Sequence, residues 1–293
     1  MFVPASLVRL SRPLYLFLIA LTYSLGAGVA RYLGTPTKVG VLMLGLAGAV
    51  LAQASMGLLA AVFQPAAEGL AGTESPEQRR TVRNAALYIS VAALTALASI
   101  AFVIHMTDGL SASELVTMAL SLLVIVVFAV PPVRAVDRGF GELLLAVQIA
   151  YLGSSIGFLL QAGSYHRLLS VCSVAITLLL LATLVALEFP SFGEDLRLGR
   201  STLLTRASWE FGLRANQVLI AAAYLLLTLP AILGFAFRLF APAFLTIPFA
   251  VLQVYLLRRI GQGARPLWNL LSANAVATFG LTVYFLALSF WLS

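Results

Sequence analysis

Long apolar runs separated by short polar segments recur from one end of the chain to the other. A helix needs about 20 mostly apolar residues to cross the ~30 Å hydrocarbon core of a bilayer. The pattern therefore predicts nine transmembrane helices, at Leu14–Ala30, Val39–Phe63, Ala85–His105, Leu115–Val130, Glu142–Leu160, Leu168–Leu187, Val218–Phe237, Leu239–Leu257 and Leu267–Leu292. The first run lacks a signal-peptide cleavage pattern, so we expect it to remain as a span.

Composition supports this all-α polytopic class and a single transmembrane domain over residues 1–293. Hydrophobic residues make up 61% of the chain and charged residues 10%, and the mean hydropathy is +1.01. A water-soluble domain has roughly a quarter of its residues charged. The single Cys172 lies in an apolar run, which excludes a disulfide framework and a thiolate metal site.

The net charge of +7 follows the predicted topology. Fourteen of the eighteen basic residues lie in the amino-terminal segment and in the loops after the second, fourth, sixth and eighth runs. By the positive-inside rule this asymmetry predicts a cytoplasmic amino terminus and an outside carboxyl terminus in the inner (cytoplasmic) membrane. The expected counter-charge is anionic membrane lipid, and a nucleic-acid partner is not expected.

Two loops on the predicted cytoplasmic side are unusually long, Gln64–Asn84 and Glu188–Gln217. Because the other connections are short, these loops indicate the face that carries the function. In the first loop, Ser75 and Gln78 have the spacing of a capping box and predict a surface helix leading into the third span.

Small residues punctuate the first, second and fifth runs. They are Gly26, Gly28, Gly45, Gly48, Gly153 and Gly157. Without a side chain to separate the backbones, such positions let membrane helices approach closely. We therefore predict close helix packing there.

Four segments carry a motif pattern that reaches across most of the chain. They are Ser11-Arg12-Pro13 with Gly26; Pro131-Pro132-Val133-Arg134 with Arg138-Gly139-Phe140-Gly141-Glu142-Leu143; Gln161-Ala162-Gly163; and Gly199-Arg200-Ser201-Thr202-Leu203 with Arg206. They resemble motifs of the UbiA-type intramembrane prenyltransferases, most closely the branch that prenylates dihydroxynaphthoate on the way to menaquinone. The predicted number of spans, nine, and the two long cytoplasmic loops also resemble those of that family.

The resemblance implies a helical bundle around a cavity that opens sideways to lipid. In the family, two aspartate-rich motifs hold Mg²⁺, which binds the diphosphate of a polyprenyl donor. Ionising an allylic carbon–oxygen bond requires neutralisation of the leaving diphosphate, and carboxylates with Mg²⁺ supply it. The expected partners are membrane lipid and an isoprenoid, quinone or pigment ligand.

Both aspartate-rich motifs are degenerate in this sequence. The first, N-D-x-x-D-x-x-x-D, aligns on Ala60, Ala61, Gln64 and Glu68, so only Glu68 keeps an acid. The second, D-x-x-x-D, aligns on Ser191 and Asp195. A diphosphate site with two metal ions needs several carboxylates from both loops. We therefore expect Glu68 and Asp195 to bind Mg²⁺ weakly or not at all.

Acids near the second motif have two interpretations. Asp195 is either a metal ligand or a solvated loop acid near Arg197, while Glu188 and Glu194 are either substitute ligands or loop acids paired with arginines. If the site is active, these three are the candidate catalytic residues.

Basic residues leave a similar choice open. Arg197, Arg200 and Arg206 form a row that could clamp phosphates or could serve only to orient the chain in the membrane. Arg138 and Gln64 complete the candidate diphosphate site.

Three functional hypotheses follow. The first is a non-catalytic protein that binds an isoprenoid, quinone or pigment tail, or that forms a structural subunit of an energy-converting membrane complex. The second is an active Mg²⁺-dependent aromatic prenyltransferase with a rearranged acid site, in which Asp195→Ala abolishes activity. The third is a transporter, which the scarcity of ionisable residues within the spans disfavours.

Overall fold

The computed structural model describes residues 3–64 and 75–293, and within these ranges nine helices are long and apolar enough to cross a membrane. We number them as spans 1 to 9 in chain order. Their bounds are Pro13–Tyr32, Val39–Val62, Pro76–Asp108, Ala112–Ala129, Gly141–Ala162, Arg167–Glu188, Trp209–Ile232, Ala241–Gly261 and Trp268–Leu292. The prediction of an all-helical, nine-span membrane protein is confirmed.

Shorter helices lie beside the spans. Val3–Leu10 precedes span 1, the 3₁₀ turn Ala135–Arg138 precedes span 5, and Phe192–Leu198 and Leu203–Ala207 connect spans 6 and 7. A further 3₁₀ turn, Phe237–Leu239, lies between spans 7 and 8. We call the end of the bundle that carries Pro13, Glu188 and most arginines the arginine-rich end. The opposite end, with Lys38 and the carboxyl end of span 5, is the arginine-poor end.

The predicted starts that differ most from the observed ones are those of spans 3 and 7. Span 3 and the predicted surface helix form one helix of 33 residues, and its capping box at Ser75 and Gln78 is confirmed. Span 7 begins at Trp209 instead of Val218. In both cases polar residues occupy the first turns of the helix. Hydropathy marks the depth of the hydrocarbon core, whereas helical hydrogen bonding continues beyond it into water.

Spans 5 and 6 are the most buried helices, and span 3 is the least buried. Span 5 contains a π-helical turn over Val147–Leu152. There the hydroxyl of Thr22, on span 1, donates a hydrogen bond to the carbonyl of Ile149. Backbone carbonyls within a bilayer need such internal donors because no water is available to them.

Glycines bring span 1 close to span 5, as the sequence predicted. A methyl group on Gly26 would overlap the carbonyl oxygen of Ser154, and one on Gly157 would overlap the carbonyl oxygen of Tyr23. Gly153 lies against the hydroxyl of Thr22 in the same interface. The two backbones are therefore as close as unsubstituted helices allow.

Aromatic side chains attach the loop between spans 6 and 7 to the bundle. The ring of Trp209 packs edge-on against the ring of Phe189, with 4.5 Å between the ring centroids. The centroid distances from Trp209 to the rings of Phe192 and Trp268 are 5.4 Å and 6.4 Å. Such edge-to-face pairs stabilise beyond their buried area. The short helix that carries Asp195 is thereby held at the arginine-rich end.

Candidate functional site

Asp195 is buried and bound to residues of its own loop. Its side chain is 6% exposed. Its Oδ2 atom accepts a hydrogen bond from Ser191 at 2.7 Å, and its Oδ1 atom accepts one from Arg200 at 3.4 Å. The Arg200 amide also donates to the Asp195 carbonyl at 2.9 Å. The ion partner is therefore Arg200, and Ser191, the other aligned motif position, is a hydrogen-bond donor.

The positions aligned with the first motif lie at the end of span 2. Ala60 and Ala61 are buried alanines, and Gln64 is half-buried just beyond the helix. Glu68 lies outside the described residues. The Nε atom of Arg83, on span 3, donates to the carbonyl of Val62 in the last turn of span 2. A cation at this carbonyl end is favourable because of the helix dipole.

Arg138 and Arg206 join two of the motif segments to each other. Arg138 donates to the carbonyl of Pro132 at 2.7 Å, and Arg206 donates to the carbonyl of Arg138. The Arg206 guanidinium also lies 5.2 Å from the ring centroid of Phe140. Gly139, at φ +72°, packs against the Arg206 side chain. Through these contacts Arg138, Gly139 and Arg206 hold the two motif segments together, which gives these residues a structural role.

Glu194 and Arg197 have exposed side chains on the helix Phe192–Leu198. Asp195 instead bonds to Ser191 and Arg200, and Glu188 accepts a hydrogen bond from the Leu204 amide. The three candidate catalytic acids, Glu188, Glu194 and Asp195, therefore occupy different surroundings. Within residues 3–64 and 75–293, no group of three His, Cys, Asp or Glu side chains could hold a metal ion.

Glu188 takes part in a polar cluster that the sequence did not reveal. Its Oε2 atom accepts a hydrogen bond from the Leu204 amide at 3.1 Å, and the Thr202 side chain lies close to its carboxyl group. The carboxyl group of Glu142, at the start of span 5, lies within hydrogen-bonding distance of it. Two carboxylates this close repel each other unless a proton or a cation lies between them.

Tyr15 completes this cluster from span 1. The Arg12 guanidinium lies 5.7 Å from the centroid of its ring, and the side chain is close to both glutamates. The Oε1 atom of Glu188 and the Oε2 atom of Glu142 are buried without a hydrogen-bond donor among the described residues. We call Tyr15, Glu142 and Glu188 the acid-pair cluster. No local sequence signal predicted that Tyr15, Glu142 and Glu188 would meet, because they lie on three different spans.

The described residues do not fit the family's Mg²⁺ site. Mg²⁺ takes near-octahedral oxygen ligands and is held through carboxylates together with substrate phosphates. Two aligned positions are alanines, and Asp195, the described acid, is already bound to an arginine and a serine. The acid-pair cluster contributes two carboxyl groups at a different place, with Arg12 beside Tyr15.

Glu142→Gln is expected to stabilise the protein by about 1 kcal/mol at neutral pH. The amide would replace a repelling carboxyl group and donate a hydrogen bond to Glu188. Thermal unfolding in detergent measures the effect. Glu194→Gln, an exposed substitution on the neighbouring loop, is the control and should have no effect. A lower stability of Glu142→Gln would mean that the pair holds a cation through both charges.

The fold is that of a multi-span helical membrane protein of the UbiA prenyltransferase type. A UbiA homolog from Archaeoglobus fulgidus, solved with GPP and Mg²⁺, superposes with a TM-score of 0.70 over 95% of this chain and 99% of its own, at 17% identity. The same homolog solved with DMAPP and Mg²⁺ gives a TM-score of 0.63 at 16% identity, over the same shares. A digeranylgeranylglyceryl phosphate synthase gives 0.60 at 16% identity, over 96% of this chain and 98% of its own.

No protein-family model matches the sequence, and no curated protein matches it. At these identities the superpositions establish the shared fold. They cover nearly the whole chain, so all nine described spans have counterparts in a fold whose solved members include complexes with GPP and DMAPP.

Proposed function

We propose that this protein is a non-catalytic member of the UbiA-type fold, formed by one transmembrane domain over residues 1–293 of the inner membrane. It binds the tail of an isoprenoid lipid, a quinone or a pigment, alone or as a structural subunit of an energy-converting complex. The observation that carries the proposal is the bonding of Asp195. This buried acid serves Ser191 and Arg200 instead of standing free for a metal.

The other candidate residues support the same conclusion. Ala60 and Ala61 supply no ligand, and Glu188 accepts from the Leu204 amide. Arg138 and Arg206 each donate to a backbone carbonyl. Arg206, one of the three arginines in the row that could clamp a diphosphate, therefore already has a partner. A leaving diphosphate would therefore meet few carboxylates to recruit Mg²⁺.

The isoprenoid part of the proposal rests on the fold and on apolar surface. The solved structures of this fold include complexes of one homolog with GPP and with DMAPP, so the bundle of that homolog accommodates short isoprenoid chains. Span 3 also presents a broad apolar face, with Tyr88, Val91, Phe102 and Met106 exposed. Lipid or a partner subunit would cover such a face in the membrane.

Purified protein supplied with Mg²⁺, GPP and aromatic acceptors is expected to release no diphosphate and to form no prenylated product above background. Diphosphate release and mass spectrometry of the extract measure the two. In the same detergent, GPP with Mg²⁺ should raise the melting temperature of the A. fulgidus homolog, which serves as the binding control, but not that of this protein. Robust Mg²⁺-dependent transfer would overturn the proposal.

Mass spectrometry of the natively purified protein tests the second part of the proposal, that the protein binds an isoprenoid, quinone or pigment tail. We expect a retained quinone, pigment or prenyl lipid, with or without stoichiometric partner subunits. A protein that instead carries prenyl diphosphate or a prenylated aromatic product would support the enzyme.

A second candidate, a prenyltransferase with a rearranged site, is favoured by the acid-pair cluster. Tyr15, Glu142 and Glu188 bring two carboxyl groups and a hydroxyl together at the arginine-rich end. An active protein would use these carboxyl groups together with Glu68, Glu194 and Asp195. Glu142→Gln separates the two functions, because it would reduce transfer in an enzyme and only change stability in a binding protein.

A further inference from the structure

Spans 7 and 8 meet at the arginine-rich end, where span 7 begins and span 8 ends. They are close there, because a methyl group on Gly261 would meet the side chain of Leu213. Arg258 donates a hydrogen bond to the Oε1 atom of Gln217 at 3.0 Å, and Gln217 lies one turn after Arg214. Arg214 and Arg258 therefore lie on the two sides of the groove between the spans. We call four residues the groove arginines: Arg214, Arg258, Arg259 and Arg265.

The chain reverses directly after span 8. Gly263, at φ +87°, allows the Ala264 amide to donate to the Arg259 carbonyl at 3.0 Å. This is the closing hydrogen bond of a Schellman turn, which satisfies a carbonyl at the end of the helix. Arg265 is the next residue, so the turn brings it beside Arg259. The groove arginines thus form two pairs, one across the groove and one within this turn.

The groove arginines have no acidic partner in the described part of the chain. No carboxylate there forms an ion pair with them. Arg258 bonds to the neutral Gln217, and the Arg259 guanidinium lies 5.9 Å from the ring centroid of Tyr255. Spans 7 and 8 with the loop that follows contain one acid, Glu210. Other arginines at this end bind carbonyls or carboxylates of the protein itself, among them Arg83, Arg134, Arg138, Arg200 and Arg206.

General rules for membrane helices explain only part of this arrangement. The helix dipole favours Arg258 and Arg259, in the last turn of span 8. It does not favour Arg214, which lies in the second turn after the positive amino end of span 7. The positive-inside rule assigns arginines to one side of the membrane and does not pair them across two spans. An anion held between the spans would account for the pairing.

Exposed apolar side chains continue both sides of the groove toward the middle of the bundle. Val218 and Leu225 lie about one and three turns beyond Arg214, on the same face of span 7. On span 8, Tyr255 and Val251 lie on the face that carries Arg258. The surface therefore joins a cationic end to two apolar faces, which complements the charged headgroup and the acyl chains of an anionic phospholipid.

We propose that the groove arginines bind an anionic phospholipid with two phosphate groups, a lipid of the cardiolipin class. Each arginine pair takes one phosphate, which guanidinium groups hold through charge-assisted hydrogen bonds. The acyl chains lie along the apolar faces of spans 7 and 8. All four side chains are exposed, so a headgroup reaches them without rearrangement of the bundle. Basic pockets between membrane spans suit such headgroups. The site shares no residue with the acid-pair cluster and is independent of the proposed function.

Native mass spectrometry of the detergent-purified protein tests this inference. The protein is titrated with cardiolipin, phosphatidylglycerol and phosphatidylethanolamine that carry the same type of acyl chain. We expect cardiolipin to occupy one site at least about tenfold more tightly than phosphatidylglycerol, because its second phosphate engages the second arginine pair. Phosphatidylethanolamine, whose ammonium offsets its phosphate, should bind more weakly than either. Equal affinities for cardiolipin and phosphatidylglycerol would overturn the proposal.

Two double variants separate the guanidiniums from the acyl chains. Arg214→Gln with Arg258→Gln removes the pair across the groove and should lower the affinity for cardiolipin to that for phosphatidylglycerol. Arg259→Gln with Arg265→Gln removes the other pair and serves if the first variant folds poorly.

Arg9→Gln with Arg238→Gln is the matched control, because it removes the same charge from two exposed arginines outside the groove. Its preference for cardiolipin should be unchanged. A preference that persisted in both groove variants would be set by the number of acyl chains, and one that fell equally in the control would be set by net charge. Either result would refute the site.

Discussion

Gly26→Ala is expected to destabilise the protein by about 3 kcal/mol, the upper part of the range for overpacked sites. The added methyl group would overlap the carbonyl oxygen of Ser154, which is backbone and has no rotamer to change. Span 1 would have to move away from span 5 along the interface that also contains Gly157. Thermal unfolding and the monodisperse fraction on size-exclusion chromatography measure the loss.

Gly157→Ala should have a similar effect from the other side of the interface, where it meets the carbonyl of Tyr23. Gly280→Ala is the matched control. Gly280 lies inside span 9 with open space around it, so alanine there should be neutral or stabilising by up to ~1 kcal/mol through its helix propensity. If Gly26→Ala proved as stable as Gly280→Ala, the close approach of spans 1 and 5 would be refuted.

Asp195→Ala is expected to lower stability by about 2 kcal/mol. It removes a buried acceptor that serves the Ser191 hydroxyl and the Arg200 guanidinium, and both donors would lose a partner. Because Arg200 is partly exposed, water replaces some of its lost interaction and keeps the effect moderate. Asp195→Asn retains one acceptor oxygen and should lose about half as much.

Glu194→Ala is the control for this prediction, since Glu194 is the neighbouring residue and is exposed. Thermal unfolding is measured for all three variants with and without Mg²⁺ and GPP. A structural Asp195 predicts that the ligands change no melting temperature. An Asp195→Ala protein of unchanged stability that had lost a Mg²⁺-dependent transfer activity present in the unsubstituted protein would instead identify Asp195 as a metal ligand.

The spans could be predicted because the bilayer imposes a local rule. Each crossing needs a long apolar helix with internally satisfied backbone groups, and this requirement is visible within about 20 neighbouring residues. The capping box at Ser75 and the close packing of Gly26 and Gly157 are also short-range or stereochemical signals. The starts of spans 3 and 7 were less visible, since polar first turns do not differ in hydropathy from a loop.

Only part of the candidate site could be predicted from the sequence. Motif alignment drew attention to Asp195, but the choice between a metal ligand and a bound loop acid depended on which arginine lies beside it. The nearer arginine in space is Arg200 instead of the predicted Arg197. The contact of Arg206 with the backbone of Arg138 likewise joins loops that are distant in the chain.

The sequence by itself determined the all-helical membrane fold class and the positions of the membrane crossings, because these depend on residue types and on the fixed thickness of the bilayer. The tertiary structure decided what the remaining polar groups do. The pairing of Glu142 with Glu188 and the hydrogen bond from the Lys38 amide to the Oε1 atom of Gln161 both join segments that are separate in sequence. Such contacts arise only when the helices pack, because a buried polar group takes its partner from whichever segment lies beside it.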